Sequence, residues 1–325
     1  MEKNLFKSII ETVMSAALCA LCILLAFNFP TFALFVVLIS GLPLVFVCSR
    51  RGGAFGIIAF LIAVVAVFLM VGDIKSTLLT ALIFLLPGLS FGVCASFNVK
   101  YVKSLLITSA VVLCGFVVEL IIANGDGNGI RTIINQSFSG VVSNFEQLIP
   151  NEEMKIITGG VSFAEIAGYA AEELIKYIPA LVILLSAIYG YCTVMMGIFV
   201  YNRVSGKKYD YIKFNMMSAP KSVCIITMLI VIFSWFLSED STISLALTNL
   251  AFVSEGFIGL CGLSMLDFWF SRAIKKGFLR ALIYIGALLF GFMILAILPT
   301  ALVLLGYADG LFNLRMRFKR GGDTN

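Results

Sequence analysis

The sequence predicts an all-α, polytopic transmembrane helix bundle of about ten spans, with two amphipathic helices in an outer insertion. Three observations carry this. Sixty-one per cent of the residues are hydrophobic and only 13% are charged, far outside the range of soluble domains. Apolar runs of membrane length follow one another with short breaks on both sides of one long polar interval, Asn124 to Lys176. Lys and Arg are also unevenly distributed: a ten-span reading places 19 of the 23 on one side of the membrane and a nine-span reading only 15, so the positive-inside rule selects ten, with both termini cytoplasmic.

In chain order, Lys3 and Lys7 lead into the first apolar run, Thr12 to Phe27. No small-residue cleavage site opens onto a polar mature domain, so this is a first helix and not a signal peptide. Asn28 to Thr31, with Pro30, turns the chain into Phe32 to Cys48. The inside loop Arg50 to Gly53 precedes Ala54 to Val71, and a small outer loop with Asp73 and Lys75 leads to Thr77 to Ala95. Lys100 and Lys103 mark the next inner turn before Ser104 to Ala123. The spans expected to form the last part of the chain are Tyr177 to Tyr201, Ser222 to Leu237, Ile243 to Phe270, and two short ones, of about 15 residues, made from Ala281 to Leu314 by a turn near Pro299. The organisation expected is therefore a first transmembrane half (1–123), an acidic extracytoplasmic segment (124–176), a second transmembrane half (177–314) and a basic cytoplasmic tail (315–325).

The polar interval holds seven acids against three bases, Arg131, Lys155 and Lys176, as suits an external loop. Asn124 to Gly129 alternates Gly with Asn and Asp but lacks the ligand spacing and terminal Glu of a calcium loop, and reads as a hinge. Apolar residues then recur at Ile130, Ile133, Ile134, Phe138, Val141, Val142, Phe145, Leu148 and Ile149, one stripe at helical spacing stopped by Pro150. A second amphipathic helix starts at Ser162, whose hydroxyl and Glu165 form a capping box, and its stripe of Phe163, Ile166, Ala170 and Leu174 runs to Pro179. Such stripes must be covered; with few basic residues on the polar faces, covering the outer mouth of the bundle is favoured over lying on lipid.

Composition narrows the chemistry. The chain has no His, which removes the usual neutral-pH base and a common metal ligand. All eight Cys lie in apolar runs and read as small buried hydrophobes; Cys19 and Cys22 have the spacing of half a zinc site without a second half. There is no phosphate-binding loop, HExxH or Ser/His pair. The expectation is no cofactor, no metal, no nucleic-acid partner and no enzyme, the partners being the lipid bilayer, a small-molecule solute and a membrane protein.

Four polar residues inside spans are candidate substrate-binding groups: Glu255, Asn249, Glu119 and Asp309. Glu255 stands 12 residues into its span, roughly 18 Å at 1.5 Å per residue and so near the midplane. A carboxylate there costs about 2.5–3.5 kcal/mol on insertion scales and faces a protein interior or a cavity. Gly259 and Gly262 clear space beside it. It is either a proton- or solute-binding group or a protonated carboxyl hydrogen-bonded between helices. Asn249 reads equally as an interhelical hydrogen-bonding group, Glu119 is four residues from the end of its span, and Asp309 stands six residues before Arg315, near enough for a salt bridge. Gly52 with Gly56 and Gly88 with Gly92 have helix-packing spacing.

Pro43 with Arg50, Arg51 and Gly52; Pro87, Gly88 and Gly92; Gly262, Leu263 and Ser264; and the ending Gly306, Asp309, Asn313 and Arg315 resemble the YybS-like family of bacterial multi-pass membrane proteins. The first half is also similar to the S components of energy-coupling-factor transporters. That resemblance implies a docking patch for a transmembrane partner at Ala16 and Ala20, in a bacterial cell membrane. Together these readings suggest a transport-related protein binding a small solute between helices; the alternative is a scaffold or envelope-assembly protein that recruits a partner.

Overall fold

A computed structural model describes residues 2–125, 129–148, 161–237, 241–277, 279, 280, 282–284 and 297–315. Asp126, Pro150, Glu152, Glu153, Lys155, Glu239, Asp240, the apolar stretch 285–296, and Arg317, Lys319 and Arg320 lie outside them, as do the side chains of Phe145 and Glu146. The described residues form helices and no strand. The helices are α1 (Glu2–Asn28), α2 (Pro30–Ser40), α3 (Leu42–Arg51), α4 (Gly53–Val71), α5 (Ile74–Thr80), a π-helical turn (Ala81–Leu85), α6 (Leu86–Ser96), α7 (Tyr101–Ala123), α8 (Gly129–Leu148), α9 (Phe163–Ser205), α10 (Lys221–Trp235), α11 (Thr242–Ala273) and α12 (Ile297–Phe312). Six segments among the described residues are long and apolar enough to cross a membrane: Leu5–Asn28, Gly53–Val71, Ile74–Ser96, Tyr101–Ala123, Phe163–Ser205 and Thr242–Ala273. Lys221–Trp235 and Leu298–Phe312 are apolar but shorter.

Two expected elements come out differently, each for a local reason. The second span, Phe32 to Cys48, is two helices broken at Gly41, one residue before the Leu42–Pro43 pair. The second amphipathic helix does not end at Pro179 but continues through it as α9, 43 residues long. Its start is as predicted: the Ser162 hydroxyl accepts from the Glu165 N–H at 3.2 Å and the Glu165 carboxylate accepts from the Ser162 N–H at 3.0 Å. At 1.5 Å per residue α9 is about 64 Å long, twice a hydrocarbon core, so one end must leave the apolar layer.

By contacts the chain divides into two compact units, 1–175 with 185–211, and 176–184 with 212–325. In the first, Ala16, Cys19, Ala20 and Ile23 of α1 pack with Ala59, Ala63 and Val67 of α4 and with Leu44, Cys48, Leu85 and Leu89. The backbones of α3 and α6 come together at glycines: a Cβ at Gly88 would overlap the Gly41 backbone, and one at Gly92 would sit 2.9 Å from the Cys48 side chain. Pro87 cannot donate to Ile83, four residues back, and the helix takes a π turn just before it. The freed Ile83 carbonyl accepts from the Tyr189 hydroxyl of α9 at 2.8 Å, and the Phe84 carbonyl from Ser40 at 3.0 Å. The Glu11 carboxylate pairs with Arg51 at 2.7 Å and Arg50 at 3.2 Å. After α9, Tyr209 closes the unit: its ring meets Phe91 and Tyr201 edge-on, and its hydroxyl meets Ser104 at 2.8 Å. Outside the spans, Asp73 caps α5, and hydrogen bonds from the Ser76 hydroxyl and N–H hold its carboxyl below the usual carboxylate range.

The helix α8 carries the predicted stripe, but its coverage differs from the expectation. Phe138 and Val142, with Arg131, Asn135, Ser139 and Ser143, line a groove of about 640 Å³ whose other wall is the first turns of α9, including Ala164, Ala167, Gly168 and Ala171. Ile133 and Val141 are about half exposed. The two amphipathic segments thus face each other across this groove, and part of the stripe stays uncovered.

Candidate functional site

The candidate site lies in the second unit, along α11, where three polar groups sit at three levels. Asn249 comes first. Residue 179 is a proline inside α9, so the helical ladder fails there. The Asn249 side chain braces the backbone beside it: its Oδ1 accepts from the Ala180 N–H at 3.1 Å, and its Nδ2 donates to the Lys176 carbonyl at 2.9 Å. Nδ2 also donates to Leu245, one turn back on α11, at 2.9 Å. Every polar group of this amide serves backbone, so Asn249 is interhelical glue and not a free ligand-binding group.

Six residues on, about 9 Å along the axis, stands Glu255. It lines a cleft of about 450 Å³ with Phe252, Gly256 and Gly259 of α11, Leu184 of α9, and Leu298, Pro299, Thr300, Leu302 and Val303 of α12. Gly256 lets Leu184 close in, since a Cβ there would lie 2.7 Å from its methyls, whereas one at Gly259 would reach only Val303 at 3.5 Å. The space expected beside Glu255 therefore exists at Gly259. The half-buried carboxylate makes no hydrogen bond or ion pair among the described residues. The hydrogen-bonded structural Glu considered from sequence is without a partner here.

The third level is built by the residues of the Gly-Asp-Asn-Arg ending. Gly262 and Gly306 are not open to a ligand: a Cβ at Gly262 would sit on the Leu302 carbonyl, and one at Gly306 on that of Ile258. They mark a backbone-to-backbone crossing of α11 and α12. Past it, Asn313 takes a left-handed conformation, φ 51°, and its N–H reaches the Asp309 carbonyl at 2.8 Å; Asn tolerates that conformation better than most residues. The chain is thereby folded back so that Arg315 pairs with Asp309, Nε to Oδ2 at 2.9 Å. The same guanidinium donates to the carbonyls of Asn215 at 2.8 Å and Cys261 at 3.1 Å and to the Ser264 hydroxyl at 3.0 Å. Ser264 in turn donates to Met217 at 2.8 Å. Asp309, with 2% of its side chain exposed, is spent in this network and does not line the cleft.

Glu119 belongs to the first unit, exposed on α7, so the four candidates form no single constellation. Ala16 and Ala20, read as helix-packing or partner-docking residues, are buried against the unit's own core, 0% and 2% exposed, where they pack helices together. The sequence reading passed over Asp267. Arg280 donates to it at 2.7 Å and to the Ile274 carbonyl at 2.7 Å, and Tyr284 donates to it at 3.2 Å, which ties the end of α11 to the residues beyond it. Its charge near the end of a span was a visible signal, but a partner 13 residues on across a break was not. No group of three or more Asp, Glu or Cys that could hold a metal occurs among the described residues.

Long apolar helices, close glycine crossings and polar groups satisfied within the protein define an integral membrane helix protein. The chain belongs to the family described as Predicted membrane protein (DUF2232), whose model matches residues 17–309. No curated protein and no solved structure matches the chain.

Proposed function

We propose that this membrane protein binds a small solute in the cleft at Glu255, in the manner of a transport component and without catalysing a reaction. One observation carries the proposal: a carboxylate in a span, lining an apolar cleft of ligand size, with no partner among the described residues. Pockets of roughly 300–1,000 Å³ with few polar groups are typical of small-molecule sites, and an unsatisfied acid in a span is retained against a cost. The resemblance of the first half to S components, as read from the sequence, motivates the same reading. Purified wild type and Glu255→Gln, compared by mass spectrometry of co-purified small molecules, test it: a solute present only with wild type is expected, and identical, solute-free spectra overturn it.

A second reading, a scaffold recruiting a protein partner, is favoured by the uncovered Ile133 and Val141 of α8; a stoichiometric partner without solute would select it. In either case the proposed arrangement is ten spans in a bacterial cell membrane, both termini cytoplasmic and α8 outside. In a cysteine-free background, Cys at Asn144 should react with an impermeant reagent in intact cells and Cys at Lys207 should not; labelling at 207 refutes this topology.

A further inference from the structure

We infer that the ligand of the Glu255 cleft is an amphiphilic monocation, a single positive charge on an apolar body. The inference rests on the proposed solute site and adds its chemical class.

The lining decides what can be recognised. Leu184, Leu298, Leu302 and Val303 offer only hydrocarbon, and Thr300 is the one described neutral polar side chain beside Glu255. A sugar or nucleoside, whose hydroxyls and amides each lose a hydrogen bond to water, would enter with most of them unmatched. An anion or zwitterion would meet no Lys or Arg among the described lining residues, and its negative group would face a carboxylate. A neutral apolar molecule would fill the space but leave Glu255 unpaired. A cation on an apolar body matches both features: its charge pairs with the carboxylate and its body lies on the aliphatic wall.

Phe252 adds an independent element. It stands three residues before Glu255, on the same face of α11, lines the same cleft, and its ring lies against Tyr177, centroids 5.1 Å apart. An aromatic face beside the carboxylate is a further attraction for a cation, and for a quaternary one in particular. One negative charge sets the valence: a dication would leave a positive charge buried without a counter-ion.

The test uses the full chain in nanodiscs of zwitterionic lipid, with empty discs subtracting partition into the bilayer. Three probes of similar shape differ in charge: tetraphenylphosphonium, neutral triphenylphosphine oxide and tetraphenylborate. Wild type should bind the cation saturably and at least roughly tenfold more tightly than the oxide, the order of a charge-assisted contact, and should not bind the borate. Glu255→Gln should erase the preference, Glu255→Asp should keep it, and Gly259→Trp, which fills the cleft, should abolish saturable binding of both cation and oxide. Saturable oxide binding blocked by Gly259→Trp, with no preference for the cation, would leave the solute site standing and overturn the cationic class. Absence of saturable binding of any probe would overturn the site itself. The wild-type ranking of the three probes is decisive without any variant, so a variant that does not fold removes nothing: a preference for oxide or borate refutes the inference.

Discussion

The two units meet the same difficulty with different chemistry. Each contains a helix interrupted by proline inside an apolar run, which strips donors from the backbone where water cannot replace them. At Pro87 the orphan is a carbonyl, and a single hydroxyl suffices: Tyr189 donates to Ile83. At Pro179 the amide of Asn249 accepts from the Ala180 N–H and donates to the Lys176 carbonyl, so one side chain serves a donor and an acceptor beside the break. Each unit also brings two helices into backbone contact at glycines, Gly41 with Gly88 and Gly262 with Gly306. Beside the first crossing lies an apolar core; beside the second lie a buried ion pair and, a few turns away, a carboxylate with no partner among the described residues. The difference separates polar groups that hold the protein together from one that does not.

The ion pair should give the largest effect. Arg315→Leu leaves Asp309 buried without its counter-ion, and breaking a buried pair costs on the order of 3–5 kcal/mol. The expected outcome is a large loss of thermal stability in detergent, partly restored by Asp309→Leu in the same chain, which removes the stranded charge. An Arg315→Leu protein that melts like wild type would place the network outside the folding energetics of this unit.

Next come the two proline repairs, and they should rank. Asn249→Leu strands a donor and an acceptor and should cost about 1–3 kcal/mol; Tyr189→Phe strands one acceptor and should cost about 1 kcal/mol. The cause is separable from packing by a cycle. Pro179→Ala returns a donor to the Ile175 carbonyl and lets Ala180 bond Lys176 directly, so Asn249→Leu should be milder in the Pro179→Ala background than in wild type. Equal losses in both backgrounds would show that Asn249 does not act through the break.

How far the sequence foretold these features depended on how local their causes are. Hydrophobic runs and the Ser162 and Glu165 box are properties of neighbouring residues, and the all-helical architecture and that cap are as expected. The continuation of α9 through Pro179 was hidden because its repair comes from residue 249. The break at Gly41 was hidden because what faces it is Gly88. Asp309 with Arg315 was legible as a salt bridge six residues apart, while the left-handed Asn313 that closes it was not. Glu255 stood out for being an acid deep in an apolar span, but that no described residue pairs with it depends on what α9 and α12 place around it.

The smallest expected effect concerns that residue and is the most telling. A structural carboxyl hydrogen-bonded between helices would tolerate Gln and suffer with Leu, because Leu would strand its partner at about 1–3 kcal/mol. Among the described residues there is no partner to strand. Glu255→Gln should therefore leave the melting temperature near wild type, and Glu255→Leu should leave it unchanged or raise it, since Leu removes an unsatisfied polar group and adds apolar contact with Val303 and Leu302. A residue whose loss stabilises the fold is held for another reason, and sites that sacrifice stability for function have this signature. Melting curves of the two variants at one pH, in the same detergent and without added ligand, are sufficient. A drop for Leu but not for Gln would reveal a hydrogen-bond partner for Glu255 and would remove the observation on which solute binding at the cleft depends.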